Sequence, residues 1–116
     1  MASLPLPETE ASIQEIQYCR NQLYLDELAL MTNTNGNYLG DPLLDPVIEK
    51  LDQINAVVII HPTQTSALPE GISEQLLYPA MEFFFDTTRA VANMLLNHMF
   101  SRYPHIRWII PHAGAF

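Results

Sequence analysis

The stretch that most constrains this chain is Ala56-Val57-Val58-Ile59-Ile60, an apolar and largely β-branched run without alternation. Such a run reads as a strand of a parallel sheet, buried on both faces. His61 stands at its C-terminal end, and Pro62 cannot continue the sheet. The pattern recurs at Ile106-Arg107-Trp108-Ile109-Ile110-Pro111-His112, after which Ala113-Gly114 turns the chain away. A long helical pattern lies between them, so the unit reads β-α-β. In parallel α/β sheets function collects at the carboxyl ends of strands, which makes His61 and His112 candidate site residues. From the residues alone, two half-buried histidines capping strands are an equally good account.

Taken in order, Leu4-Pro5-Leu6-Pro7 is extended, because each proline biases its predecessor away from the helix. Glu8-Thr9-Glu10 offers a helix start, and Ile13, Ile16, Cys19 or Arg20, and Leu23 mark one face to about Tyr24. Glu27 to Thr32 reads as a short strand, ending in the polar loop Asn33-Thr34-Asn35-Gly36-Asn37. Asp45-Pro46 reads as N-cap and first helical residue, with Val47, Ile48, Leu51 and Ile54 as the core face and Asn55 as C-cap. Thr63 to Pro79 reads as a long loop, expected to fold over the strand ends as a lid or substrate wall. Phe83-Phe84-Phe85 then leads to the capping cluster Asp86-Thr87-Thr88-Arg89. Val91, Met94 or Leu95, and Met99 carry a core face to Arg102, and Pro104 stops the helix. The order β-α-β-α-β-α-β predicts one α/β domain over residues 1–116.

Composition narrows the function. A chain of 116 residues is too short for a complete (β/α)8 barrel of about 250. A net charge of −8 with only five Lys and Arg argues against nucleic acid and anionic membranes as partners. No apolar run approaches the ~20 residues of a membrane span, and the N-terminus lacks a signal-peptide pattern. The single cysteine, Cys19, reads as packing in a reducing cytoplasm.

Neutral imidazole is a common ligand for zinc and its neighbours, and a strand end fixes its direction. Alternation puts Val57, Ile59 and His61 on one face, and Trp108, Ile110 and His112 on one face of the next strand. Both sets are expected to face the same side, bringing the rings together as a metal ligand and an acid–base group. His98 and His105 read as structural or solvated. Asp86 and Arg89 read first as an N-cap with a local ion pair, and second as substrate contacts. Tyr38 lies in a loop beyond a strand end, where an aromatic lines a site or covers the core rim.

Leu4-Pro5-Leu6-Pro7, Tyr38-Leu39-Gly40-Asp41-Pro42, Val58-Ile59-Ile60-His61-Pro62, Phe85-Asp86-Thr87-Thr88-Arg89-Ala90 and Ile109-Ile110-Pro111-His112-Ala113-Gly114 resemble, in that order, one family. It is the amidohydrolase-related decarboxylases, typified by aminocarboxymuconate-semialdehyde decarboxylase and including 6-methylsalicylate and γ-resorcylate decarboxylases. The 6-methylsalicylate type is the nearest flavour. The resemblance implies a (β/α)8 barrel of the metal-dependent hydrolase type, of which this chain would supply about strands three to six.

It also implies one divalent metal, zinc with manganese as the other choice, and no organic cofactor. The family's ligands are a His-X-His pair ending the first strand, a histidine ending the fifth and an aspartate ending the eighth. By position His61 matches the fifth-strand ligand, and His112 the sixth-strand acid–base histidine. The other ligands would lie outside strands three to six. The implied reaction is nonoxidative loss of CO2 from an aromatic or unsaturated carboxylic acid. Tyr38, Asp86 and Arg89, by their places in the chain, are the candidate substrate contacts. The 116 residues alone are expected to be inactive, and the full-length form is expected to be a homo-oligomer. A hydrolase of the same superfamily, or a truncated non-catalytic product, are the rival readings.

Overall fold

Four strand segments, the first three each followed by a helical crossover, assemble here as one parallel sheet. The computed structural model describes residues 1–65 and 78–114. The chain runs β1 (Ala2–Ser3), α1 (Thr9–Asn21), β2 (Glu27–Met31), a hairpin of β3 (Asn33–Thr34) and β4 (Asn37–Tyr38), then α2 (Asp45–Gln53). It continues as β5 (Val57–His61), α3 (Tyr78–Leu96), α4 (Met99–Arg102) and β6 (Arg107–Ile109). The strands β1, β2, β5 and β6 pair in that order, all parallel. Each strand is added beside its predecessor after one helical crossover. This consecutive order is that of a barrel wall and not of a doubly wound sheet.

Register decides which side chains form the core. Leu28 pairs with Val58 and Leu30 with Ile60, and all four are buried. They meet Ile16 and Cys19 of α1, Val47, Ile48 and Leu51 of α2, and Met94 of α3. On the other face lie Ala29, Met31, Val57, Ile59 and Ile109, of which Val57 and Ile59 are half-buried and Ile109 is 48% exposed. The expected burial of β5 on both faces is therefore realised on one.

Helix boundaries differ from expectation in informative ways. The helix at Thr9 ends at Asn21, so Leu23 leaves the core face and is exposed. Asp41, not Asp45, provides the N-terminal cap: its Oδ1 accepts from the Leu43 N–H at 2.9 Å and starts a 3-10 turn over Pro42–Leu44. The Asp45 carboxylate is instead paired with Arg102. Asn55 follows the C-cap Ile54 in the left-handed region, at φ 53°. Asp86 is not a helix cap, because α3 already begins at Tyr78. Tyr78 and Pro79 thus belong to helix, and residues 66–77, with the lid expected there, lie outside the described residues. Met94, not Leu95, is the core residue, and His98 at φ 55° separates α3 from α4.

Gly40 sets how closely α3 approaches the loop that follows β4. Its φ is +100°, and a Cβ there would stand 2.8 Å from the backbone of Asn93 and Met94. The adjoining Leu39 carbonyl accepts from Asn93 Nδ2 at 2.9 Å. Gly40→Ala combines a strained φ with a backbone clash, so the expected loss is about 1–3 kcal/mol or more. Urea denaturation checks this: a midpoint equal to that of the unsubstituted chain would show that α3 does not need the close approach.

Candidate active site at the strand ends

The ladder between β2 and β5 ends at Met31 and His61, and one further bond reaches it from the residue just past β2. The Thr32 N–H donates to the His61 carbonyl at 2.9 Å. His61 itself is exposed, and its Nδ1 stands 2.8 Å from the Pro62 carbonyl oxygen. A carbonyl only accepts, so Nδ1 carries a proton, and in the neutral ring the lone pair is on Nε2.

His112 follows β6, the parallel neighbour of β5. The expected alternation through it fails. Trp108 pairs with Val58 on the helix-covered face, whereas Ile109 pairs with Ile59 on the open one. The strand stops at Ile109, a 3-10 turn covers Pro111–Gly114, and His112 has φ 68°. Its direction is therefore set by the turn and by α3. Its ring meets Phe84 edge-on at 4.5 Å between centroids. Its Nδ1 lies 3.4 Å from Thr87 Oγ1, which itself donates to the Phe83 carbonyl at 2.8 Å. With that hydroxyl proton committed, Thr87 accepts from Nδ1–H, leaving Nε2 of His112 as the basic nitrogen.

Around these ends lies a polar cluster centred on Asp86, which is fully buried. Its Oδ2 accepts from Thr32 Oγ1 and from Asn33 Nδ2, the latter at 3.0 Å, and its Oδ1 accepts from the Tyr38 hydroxyl. Thr32 Oγ1 in turn accepts from the Thr63 N–H at 3.1 Å. The hairpin carrying Asn33 and Tyr38 turns at Asn35-Gly36, with φ of 51° and 81°, the positive pair that a two-residue hairpin loop requires. Thr32, Thr63, Phe84 and Thr87 were not candidates from sequence. Thr32 had a signal, since it ends a predicted strand; Thr87 had none beyond its capping chemistry.

Two cavities open beside this cluster. The larger, about 630 Å³, is lined by Met31, Asn33, Thr34, Gly36, Thr63 and Thr65 among others, and neither histidine lines it. The smaller, about 360 Å³, brings Tyr38 and Arg89 together with Gly36, Asp41 and Asn93. Arg89 pairs with Glu82 at 3.9 Å and not with Asp86. His105 binds Asp52 through its N–H at 2.7 Å and Nδ1 at 3.0 Å, on the far side of the fold, which holds the Asp52 carboxyl below the usual range. Among the described residues, no group of three or more His, Cys, Asp or Glu is placed to hold a metal ion.

A consecutive parallel sheet with imidazoles at adjacent strand ends defines the barrel-type α/β proteins whose chemistry sits at the carboxyl ends of the strands. The Amidohydrolase family matches residues 1–116, and the chain belongs to that family. It is 34% identical to a 6-methylsalicylic acid decarboxylase of Penicillium expansum, over 98% of this chain and 36% of that protein. It is 31% identical to the 2-amino-3-carboxymuconate-6-semialdehyde decarboxylase of Dictyostelium discoideum, over 99% of this chain and 32% of that one. A solved amidohydrolase II superposes with a TM-score of 0.94 and 39% identity, over 98% of this chain and 37% of the other. The chain thus spans about a third of the length of the curated relatives it matches, and its fold is a partial barrel of the amidohydrolase type.

Burial, and then the bond to Asp86, push the Tyr38 hydroxyl above its ordinary value. Folding thus favours the protonated phenol. Its stabilising contribution is full below the unfolded pKa of about 10 and is lost as pH rises through the folded value. Tyr38→Phe should flatten this part of the alkaline loss of stability, read from urea midpoints between pH 8 and 11. An unchanged alkaline slope would mean that Tyr38 is not its source.

Proposed function

We propose that the chain carries two site histidines of a metal-dependent carboxy-lyase, which removes CO2 nonoxidatively from an aromatic or unsaturated carboxylic acid. The observation that carries this reading is the pair of imidazoles at or just past the ends of adjacent parallel strands, each with Nδ1 engaged and Nε2 without a partner among the described residues. Decarboxylase names among the relatives support the choice over a hydrolase.

His61 fits one divalent ion, proposed as zinc with manganese as the other choice. Its neutral tautomer is fixed by the Pro62 carbonyl, the arrangement that orients metal-binding histidines. The remaining ligands are proposed to come from outside the described residues. When bound, the ion supplies a Lewis acid for the substrate carboxylate. His112 holds the mobile proton on Nε2 and delivers it to the carbon that bears the carboxylate. The C–C bond to the carboxylate then breaks, its electron pair returns to the ring or diene, and CO2 leaves. His112 regains its proton from solvent, so one proton replaces one CO2. Tyr38 and Arg89, which share the smaller cavity, are proposed to contact the substrate. No helix among the described residues is long and apolar enough to cross a membrane. A cytoplasmic location and a homo-oligomeric full-length form belong to the same proposal.

In a chain extended to the length of the relatives, His61→Ala should lower both metal content and CO2 release. His112→Ala should keep most of the metal while turnover falls by about 10²–10⁴-fold. Equal metal loss in both variants would overturn this division of roles. The 116 residues alone should show near-zero stoichiometric metal by elemental analysis and no CO2 release from 6-methylsalicylate; one tightly bound metal with turnover would contradict the proposed ligand set.

A further inference from the structure

We propose that Asp86 is a positioning residue for His61, acting through the Thr32 hydroxyl and the Pro62–Thr63 peptide without touching substrate. The functional part of this inference rests on the reading of His61 as the metal-binding histidine. An ionised carboxylate only accepts hydrogen bonds, so all three partners of Asp86 must donate to it. That fixes the direction of the Thr32 hydroxyl: its proton goes to Asp86, and a lone pair remains for the Thr63 N–H at 3.1 Å. The Thr63 N–H and the Pro62 carbonyl belong to one planar peptide. The oxygen of that same peptide is the atom that engages His61 Nδ1 at 2.8 Å. The Thr32 N–H also grips the His61 carbonyl at 2.9 Å. One buried threonine therefore holds the backbone on both sides of Pro62, and Asp86 sets which way its hydroxyl faces.

The arrangement explains a fully buried carboxylate in the middle of a helix. A carboxylate needed only for packing would be replaced at little cost by an apolar group of the same volume. This one instead gathers donors from the end of β2 and from β4, and its effect reaches β5 through a hydroxyl and a peptide plane. Asn33, held through Nδ2, joins the lining of the larger cavity to the same anchor.

The test uses the isotope-labelled 116-residue chain and two NMR signals, the exchange rate of the Thr63 amide and the Cε1–Hε1 cross-peak of His61, at one fixed pH. Asp86→Asn and Thr32→Val should each speed Thr63 exchange by about tenfold and move the His61 cross-peak. Amides within β2 and β5 should stay within about threefold of their original rates. Thr32→Ser, which restores the hydroxyl, should return both signals. If Asp86→Asn does not fold, the Thr32→Val and Thr32→Ser pair decides by the same signals. An unchanged Thr63 amide and His61 cross-peak, or uniform acceleration across the sheet, would overturn the proposal. Neither signal requires bound metal, so this result stands apart from the metal and CO2 measurements that test the function.

Discussion

The five-residue parallel ladder between β2 and β5 settles the role of nearly every side chain near it. Successive residues in a strand face opposite sides, and a slip of one would exchange the two sets. In the observed register Leu28, Leu30, Val58 and Ile60 face the helices, and His61 shares the other face with Met31 and Ile59. Slipped by one, His61 would point into an apolar layer, at the cost of burying a polar ring. The bond from Thr32 to the His61 carbonyl extends the same ladder past the strand ends. The polar cluster is thus a continuation of the sheet in which a hydroxyl and a carboxylate take over where backbone pairing stops.

Burying Asp86 is costly by itself, and three donors offset that cost. Thr32 follows β2, and the other two donors, Asn33 and Tyr38, come from a hairpin with strands of only two residues each, too short to be stable alone. Hairpin and carboxylate stabilise each other: the turn at Asn35-Gly36 brings Asn33 and Tyr38 to one acceptor, and the acceptor keeps the turn on α3. The Asn93 side chain and the close approach at Gly40 add a second attachment between the same two elements.

Much of this was legible in the sequence. The apolar runs and helical periods gave the alternating order of strands and helices, and they put two histidines at or just past the ends of adjacent strands. Asn35-Gly36 carries a hairpin signal of its own, hidden within a polar cluster whose composition is that of any loop. Asp86-Thr87-Thr88 has capping composition, and only the tertiary fold shows that the carboxylate serves β2 and β4 from within a helix begun at Tyr78. Alternation would reach His112 only if β6 ran through Pro111, which has no N–H for the ladder. The strand ends earlier, and a left-handed residue resets the direction. No single-sequence pattern encodes that long-range choice.

The two histidines consequently depend on the fold in different ways. His61 is oriented by the carbonyl of the next residue, a local contact that β5 supplies once its backbone is held. His112 is oriented by Phe84 and Thr87, both on α3, so its direction depends on where that helix docks. Asp86 lies on the same helix as those two residues, and Asn93 lies further along it. The contacts that fix α3 to the β2 end and to Gly40 therefore act on His112 through helix position, while Asp86 reaches the His61 peptide through Thr32. One helix bears on two imidazoles at the ends of different strands, through different residues along it. The relative placement of the imidazoles is thus a property of helix docking as much as of the sheet.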